Sequence, residues 1–273
     1  RAVREIRSDF GRDTITPEGV HPAALVLGSS LAVVCPLVAL FLLPVPGNPL
    51  IGSLGLTGDL VAEGALLLGV PVARLLVDWA IPSPYTRIAA DRGARLLAGV
   101  AVPMALALTA SAEQLGTLGL DLPPTKIALP TISLVTRILA ALAFAVTLPA
   151  LARTTTLRGD TGALELGGGE LSEISGRDLA CFRIGEALQL VAVAGVFIAA
   201  FVLPIFITGP AGAGRGLVWI IGVVVTAAGI GAWEGYASRH STASRAPLSW
   251  WMELPLLLAL VALVAAAWAS RGA

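Results

Sequence analysis

The chain has 273 residues, of which 56% are hydrophobic and 13% charged, with a mean hydropathy of +0.85 and a formal net charge of +0. Soluble domains carry about a quarter charged residues, so this polypeptide has too little polar surface to cover itself in water and belongs in a membrane. The neutral balance gives no electrostatic case for nucleic acid as a partner.

The first segment, 1–22, reads RAVREIRSDFGRDTITPEGVHP. Its alternating basic and acidic residues suit a protein contact at the membrane boundary, with a solvated juxtamembrane linker as the plain alternative. It opens on Arg1 with neither methionine nor a signal-peptide pattern, so further residues are expected before it.

A bilayer core takes roughly 20 apolar residues in helical form. Seven stretches meet that length: 23–43, 59–81, 92–112, 129–151, 179–206, 216–236 and 254–270. The runs are continuous and do not alternate with period two, which excludes transmembrane strands. The expected fold is therefore all-α, a single polytopic helix bundle over 1–273. Pro71, Pro103 and Pro149 fall inside spans, where kinks are expected and neighbouring helices can satisfy the freed carbonyls.

Charge sets the orientation. Alternate connections on one side hold twelve arginines, including Arg12, Arg87, Arg92 and Arg177, against Lys126, Arg215 and Arg271 on the other. The positive-inside rule then places the N-terminal segment and the loop 152–178 in the cytoplasm. It also leaves room for an eighth helix before Arg1.

Ionisable residues inside spans are costly and are functional candidates for that reason. In the second span, GDLVAEGALLLGVPVARLLVDWAI, a regular helix would gather Asp59, Glu63, Arg74 and Asp78 on one face. Arg74 and Asp78, four apart, can pair along it. An ion path and an internally neutralised packing seam are both compatible with this stripe. Arg137 stands alone in the fourth span and needs a carboxylate from another helix. On the fifth span Arg183 and Glu186 are one turn apart and can pair, and Gln189 continues their face. A carboxylate in low dielectric is suited to carrying protons.

Other chemistries find no support. LGGGE (165–170 reads ELGGGE) lacks the Lys-Ser/Thr ending of a phosphate loop. His21, His240, Cys35 and Cys181 are scattered and form no metal or nucleophile pattern. Catalysis by this chain alone is not expected.

Several stretches resemble one family, the ND1-like membrane subunit shared by respiratory complex I and the group 4 energy-converting NiFe-hydrogenases, the formate hydrogenlyase type included. LEL supplies Glu165, SEISG supplies Glu173 and RIGEAL supplies Glu186, at intervals similar to the complex I version. SGRDLA is closer to the hydrogenase branch. FGRDTITPEG, GDLV, SPYTRIAADRGAR and WEGYASRHSTASRAPL resemble further family segments in the same order.

The resemblance implies a seat for a hydrophilic redox arm, whose acidic residues couple electron transfer to proton or sodium movement. By that carry-over Glu165, Glu173 and Glu186 belong to the coupling path, to which the intramembrane charges Glu63 and Arg183 are added as candidates. Arg12, Asp13, Arg87 and Arg92 belong by the same carry-over to the docking surface, with Glu170, Arg177 and Asp178 as further candidates there. The implied partners are hydrogenase-like large and small iron–sulfur subunits on the cytoplasmic side, antiporter-like membrane subunits, and lipid. Iron–sulfur clusters and a NiFe centre would lie in those partners; no cofactor is expected on this chain, and a quinone is left open. The implied location is a bacterial or archaeal cytoplasmic membrane. One departure stands out: AGVAVPMAL places Ala101 and Val102 where the family carries a Glu before a Pro. A stand-alone secondary transporter is the rival reading, although no internal repeat supports it. A structural anchor that has lost ion coupling is the other.

Overall fold

The computed structural model describes residues 2–14, 19–43, 59–115, 131–152, 174–206, 213–237 and 246–271. Among these, the regular elements are helices: α1 Ala2–Phe10, α2 Pro22–Leu42, α3 Leu60–Leu67, α4 Gly69–Ala80, α5 Pro84–Leu115, α6 Thr131–Leu151 and α7 Arg177–Phe197. A π-turn, Ile198–Val202, then leads into α8 Leu203–Phe206, followed by α9 Ala213–Ala237 and α10 Ala246–Arg271. The all-α, polytopic architecture expected from the sequence is the one observed.

Six stretches are long and apolar enough to cross a bilayer: Pro22–Leu42, Leu60–Ala80, Thr86–Glu113, Leu134–Leu151, Arg177–Val202 and Gly216–Trp233. The seventh expected span is the shorter apolar stretch Glu253–Trp268 within α10. The outer surface is itself greasy. On α2, Val26, Leu27, Val34, Leu37 and Phe41 are all exposed, while Leu25, Gly28, Ser29, Ala32 and Ala39 face inward. Large side chains outside and small ones inside is the pattern of a bundle solvated by lipid, where association rests on close packing. Gly185 of α7 shows how close: a Cβ there would collide with the Ala32 backbone carbonyl of α2.

Two groups of helices build the bundle. In one, α2 packs on α7 and α4; in the other, α10 packs on α6 and α5, which also pack together. Phe144 of α6, Phe197 of α7 and Phe201 of the π-turn close the junction between the groups, with ring centroids 5.2–6.1 Å apart. The helix α9 lies outside, against α7, and α1 lies on α7 as well.

The structure departs from the expected elements in two places. The second span is not one helix: it breaks at Leu68, three residues before Pro71. The proline ring clashes with the carbonyl four residues back, so the disturbance appears about one turn N-terminal to the proline itself. The third span starts earlier than expected. Its helix begins at Pro84, where the fixed φ of proline suits a first turn, and the charged stretch around Arg87, Asp91, Arg92 and Arg95 is helical rather than loop. Thr86 secures this start by donating to the carbonyls of Ser83 and Ile81, at 2.9 and 3.0 Å.

Candidate ion-coupling site

The charged residues of α1, α4 and α7 form two ion-pair groups that meet on one face of α7. Asp9, on α1, is 3% exposed and accepts a hydrogen bond from Arg183 of α7 at 2.6 Å. Arg12, an exposed residue just beyond α1, approaches Asp9 at 3.7 Å. One turn along α7 from Arg183, Glu186 accepts from the Arg74 guanidinium of α4. Arg74 is 1% exposed and its guanidinium also lies 5.8 Å from the ring centroid of Phe182, so α7 holds it by a carboxylate and an aromatic face. Asp78, one turn further along α4, is 3% exposed. In order, the charges alternate: Arg12, Asp9, Arg183, Glu186, Arg74, Asp78. Arg12 and Arg183 meet on Asp9 at the short surface helix, and Arg74 meets Glu186 one turn further along α7 inside the bundle, so each of these buried acids or bases has a partner of opposite sign.

The sequence-based pairing of Arg183 with Glu186 is thereby corrected. Arg183 turns outward to α1, and Glu186 turns inward to α4. The reason is geometric: α7 passes between α1 and α4, so charges on its face find partners on both sides that a single-helix reading cannot supply. Asp9 was missed altogether. Its one sequence signal is the interval Val3, Ile6, Asp9, which puts it on the apolar stripe of α1 and hence toward the bundle.

Glu63 is different. It lies in the first turn of α3, is 0% exposed, and neither carboxylate oxygen has a hydrogen-bond partner among the described residues. Leu108 and Met104 of α5 pack beside the adjacent Gly64. The expected four-member stripe is thus divided by the break at Leu68. Asp59 is accounted for as the N-cap of α3, accepting from the Val61 amide at 3.0 Å; Glu63 stays on α3; Arg74 and Asp78 belong to α4. Gln189, one turn beyond Glu186 on α7, is 1% exposed and donates through Nε2 to the Leu67 carbonyl at 2.5 Å. Arg137 is buried in α6 at 1% exposure. A small cavity of about 30 Å³ between α4, α5 and α6 is lined by Arg74, Asp78, Gly93, Leu97 and Ala150, room for one or two water molecules.

The segments that carry four of the expected docking residues, Arg12, Asp13, Arg177 and Asp178, meet in one local arrangement. Gly176 has φ +68°, and its Cα packs so closely on the 12–14 backbone that a Cβ would come within 2.9 Å of the Arg12 carbonyl. Ser175 donates to the Asp13 carbonyl at 3.1 Å. The SGRD and FGRD motifs are therefore seated on each other, with Asp9–Arg183 beneath them. Arg12, Asp13 and Arg177 are exposed and Asp178 is half-buried. Arg87 and Arg92 are exposed on α5. Glu165, Glu170 and Glu173 lie outside the described residues. Of the two positions where the family Glu was expected, Val102 is 52% exposed and Ala101 is half-buried. Among the described residues no group of three or more His, Cys, Asp or Glu could hold a metal ion.

A family model for NADH dehydrogenase matches residues 6–266. The chain belongs to the NADH dehydrogenase family. Its fold is shared by a subunit in the structure of the membrane-bound sulfane sulfur reductase, an archaeal respiratory membrane complex: TM-score 0.73 and 21% identity, covering 97% of this chain and 86% of that one. No curated protein matches by sequence. With six helices long and apolar enough to cross a bilayer among the described residues, the chain is a multi-pass membrane protein.

Proposed function

We propose that this chain is the membrane-embedded subunit of a multi-subunit respiratory oxidoreductase, seating a hydrophilic redox arm and coupling its electron transfer to proton or sodium movement. The observation that carries this reading is the alternating series from Arg12 and Asp9 through Arg183, Glu186 and Arg74 to Asp78. Its outer end lies under the clasp of the FGRD and SGRD segments, the surface assigned to docking. A movement of the redox arm at Arg12, Asp13, Arg177 or Asp178 would shift α1 and alter its Asp9 contact with Arg183 on α7, the helix whose Glu186 holds Arg74.

In this reading Glu186 and Glu63 are the ion-carrying groups, and Arg74 is the cation held by Glu186. Glu63, fully buried and without a hydrogen-bond partner among the described residues, is proposed as a station that the moving proton or cation visits. Glu165 and Glu173 are proposed to extend the path on the cytoplasmic side, and Arg137 to support the far side of the seam. Neither Ala101 nor Val102 can carry a proton, and Glu63 is proposed to take the place of the missing family carboxylate. The chain performs no bond-making step. Iron–sulfur clusters, and a NiFe centre in the hydrogenase version, would be carried by partner subunits, with antiporter-like subunits alongside in the cytoplasmic membrane of a bacterium or archaeon.

The arm has two candidate types. Hydrogenase-like large and small subunits follow from the SGRDLA resemblance; a sulfane sulfur reductase arm follows from the shared fold. Purification of the tagged full-length protein in mild detergent, with mass spectrometry of partners and metal counting, distinguishes them. Iron–sulfur subunits with nickel support the hydrogenase type. The same subunits without nickel support the reductase or dehydrogenase type. A lone, metal-free protein overturns the redox-seat reading.

A further inference from the structure

The break between α3 and α4 leaves one backbone group to be accounted for. In a continuous helix the Leu67 carbonyl accepts from the amide of residue 71, and residue 71 is proline, which has none. A carbonyl left open inside a membrane bundle costs several kcal/mol by the usual scale. Gln189 answers it: its Nε2 donates to the Leu67 oxygen at 2.5 Å across the α3–α7 interface. Only the amide nitrogen can serve here, since a carbonyl offers no proton.

Ser111 of α5, fully buried, likewise donates to a backbone carbonyl of another element, that of Ala200 in the π-turn, at 3.1 Å.

At the α3–α4 break the donor sits in a telling place. Glu186 and Gln189 are one turn apart on α7. Glu186 grips α4 through Arg74, below the break, and Gln189 grips α3 through Leu67, above it. The helix α7 therefore spans the break with one contact on each side. Cys35 of α2 packs against Gly69 so closely that a Cβ on Gly69 would collide with it, so the break is confined by α2 on another side.

We infer that Gln189 is a positioning residue that fixes the angle between α3 and α4 by closing the carbonyl Pro71 leaves open, and thereby sets where Arg74 meets Glu186. This goes beyond the ion-coupling reading and does not rest on it, because the hinge is a property of the helices whether or not ions move.

The test is a rescue experiment on the full-length protein, read by hydrogen–deuterium exchange mass spectrometry of peptides covering 60–80. Gln189→Met keeps the side-chain volume and removes the donor. Exchange in that segment should quicken about fivefold, the loss expected for one net hydrogen bond, while peptides of α10 stay unchanged. Pro71→Ala supplies the missing amide within the helix. In the Gln189→Met/Pro71→Ala variant, exchange should return to within about twofold of the parent. Unchanged exchange in Gln189→Met overturns the inference, and so does equal acceleration with proline or alanine at position 71. If Gln189→Met fails to accumulate, the readout becomes the amount of folded protein in membranes: restoration by Pro71→Ala supports the inference, and no restoration overturns it. Neither readout depends on transport, so failure here and failure of the proposed function are separable.

Discussion

The Asp9–Arg183 contact predicts an asymmetry that a simple ion-pair count would miss. The acid is 3% exposed and the base 37% exposed. Arg183→Ala leaves a buried carboxylate whose remaining ion-pair partner among the described residues is Arg12, at 3.7 Å. Asp9→Ala leaves an arginine that already reaches solvent and can rehydrate. A charged hydrogen bond contributes about 1.5–3 kcal/mol, and stranding a buried ion costs more than removing both partners. Discounted for the exposure of Arg183, the expected cost of Arg183→Ala is about 1.5–2.5 kcal/mol of α1 docking, and of Asp9→Ala about 1 kcal/mol. The double variant should resemble Asp9→Ala, because no buried charge remains. Tryptic cleavage after the exposed Arg7 in purified, detergent-solubilised protein reads the docking equilibrium directly when opening is fast relative to cleavage. The predicted accelerations are about 10- to 60-fold for Arg183→Ala and about 5-fold for Asp9→Ala. Equal effects of the two single variants, or an additive double variant, would refute the reasoning.

Two other substitutions test the local geometry. Gly176→Ala forces a side chain into φ +68° and against the Arg12 and Asp13 carbonyls; a loss of about 2 kcal/mol or more is expected, seen as faster cleavage at Arg7, and unchanged cleavage would contradict the clasp. Asp59→Ala removes the α3 N-cap and should lower stability by about 1 kcal/mol, with Asp59→Ser close to the parent; denaturation in mixed micelles followed by circular dichroism measures both, and a neutral Asp59→Ala would count against capping.

The spans were legible because a bilayer demands long apolar runs, and 22–42 or 131–151 can hardly be read otherwise. The break at Leu68 was partly legible: Pro71 announced a disturbance, while its displacement to the preceding turn follows from which carbonyl the ring meets. The charge partners were not legible. Arg183 and Glu186 sit at ideal spacing to pair, and the crossing of α7 between α1 and α4 separates them. Asp9 was hidden among neighbouring charges, since RSDFGRD looks solvent-facing unless the stripe through Val3 and Ile6 is followed. The start of α5 was obscured by Arg87, Asp91 and Arg92, which are exposed on a helix that begins before its apolar part. Gln189 was noted only as a polar neighbour of Glu186, because the carbonyl it serves belongs to another helix.

The most direct test of the central claim is Glu186→Gln in the intact complex. The measurement is ion transport per electron transferred in sealed vesicles, beside the amount of assembled complex. Glutamine keeps an acceptor for Arg74 and removes the titrating group. The account predicts normal assembly and retained electron transfer with ion transport reduced at least about tenfold, the equivalent of about 1.4 kcal/mol in the coupled step. Full transport per electron in an assembled Glu186→Gln complex would remove Glu186 from the path and contradict the account.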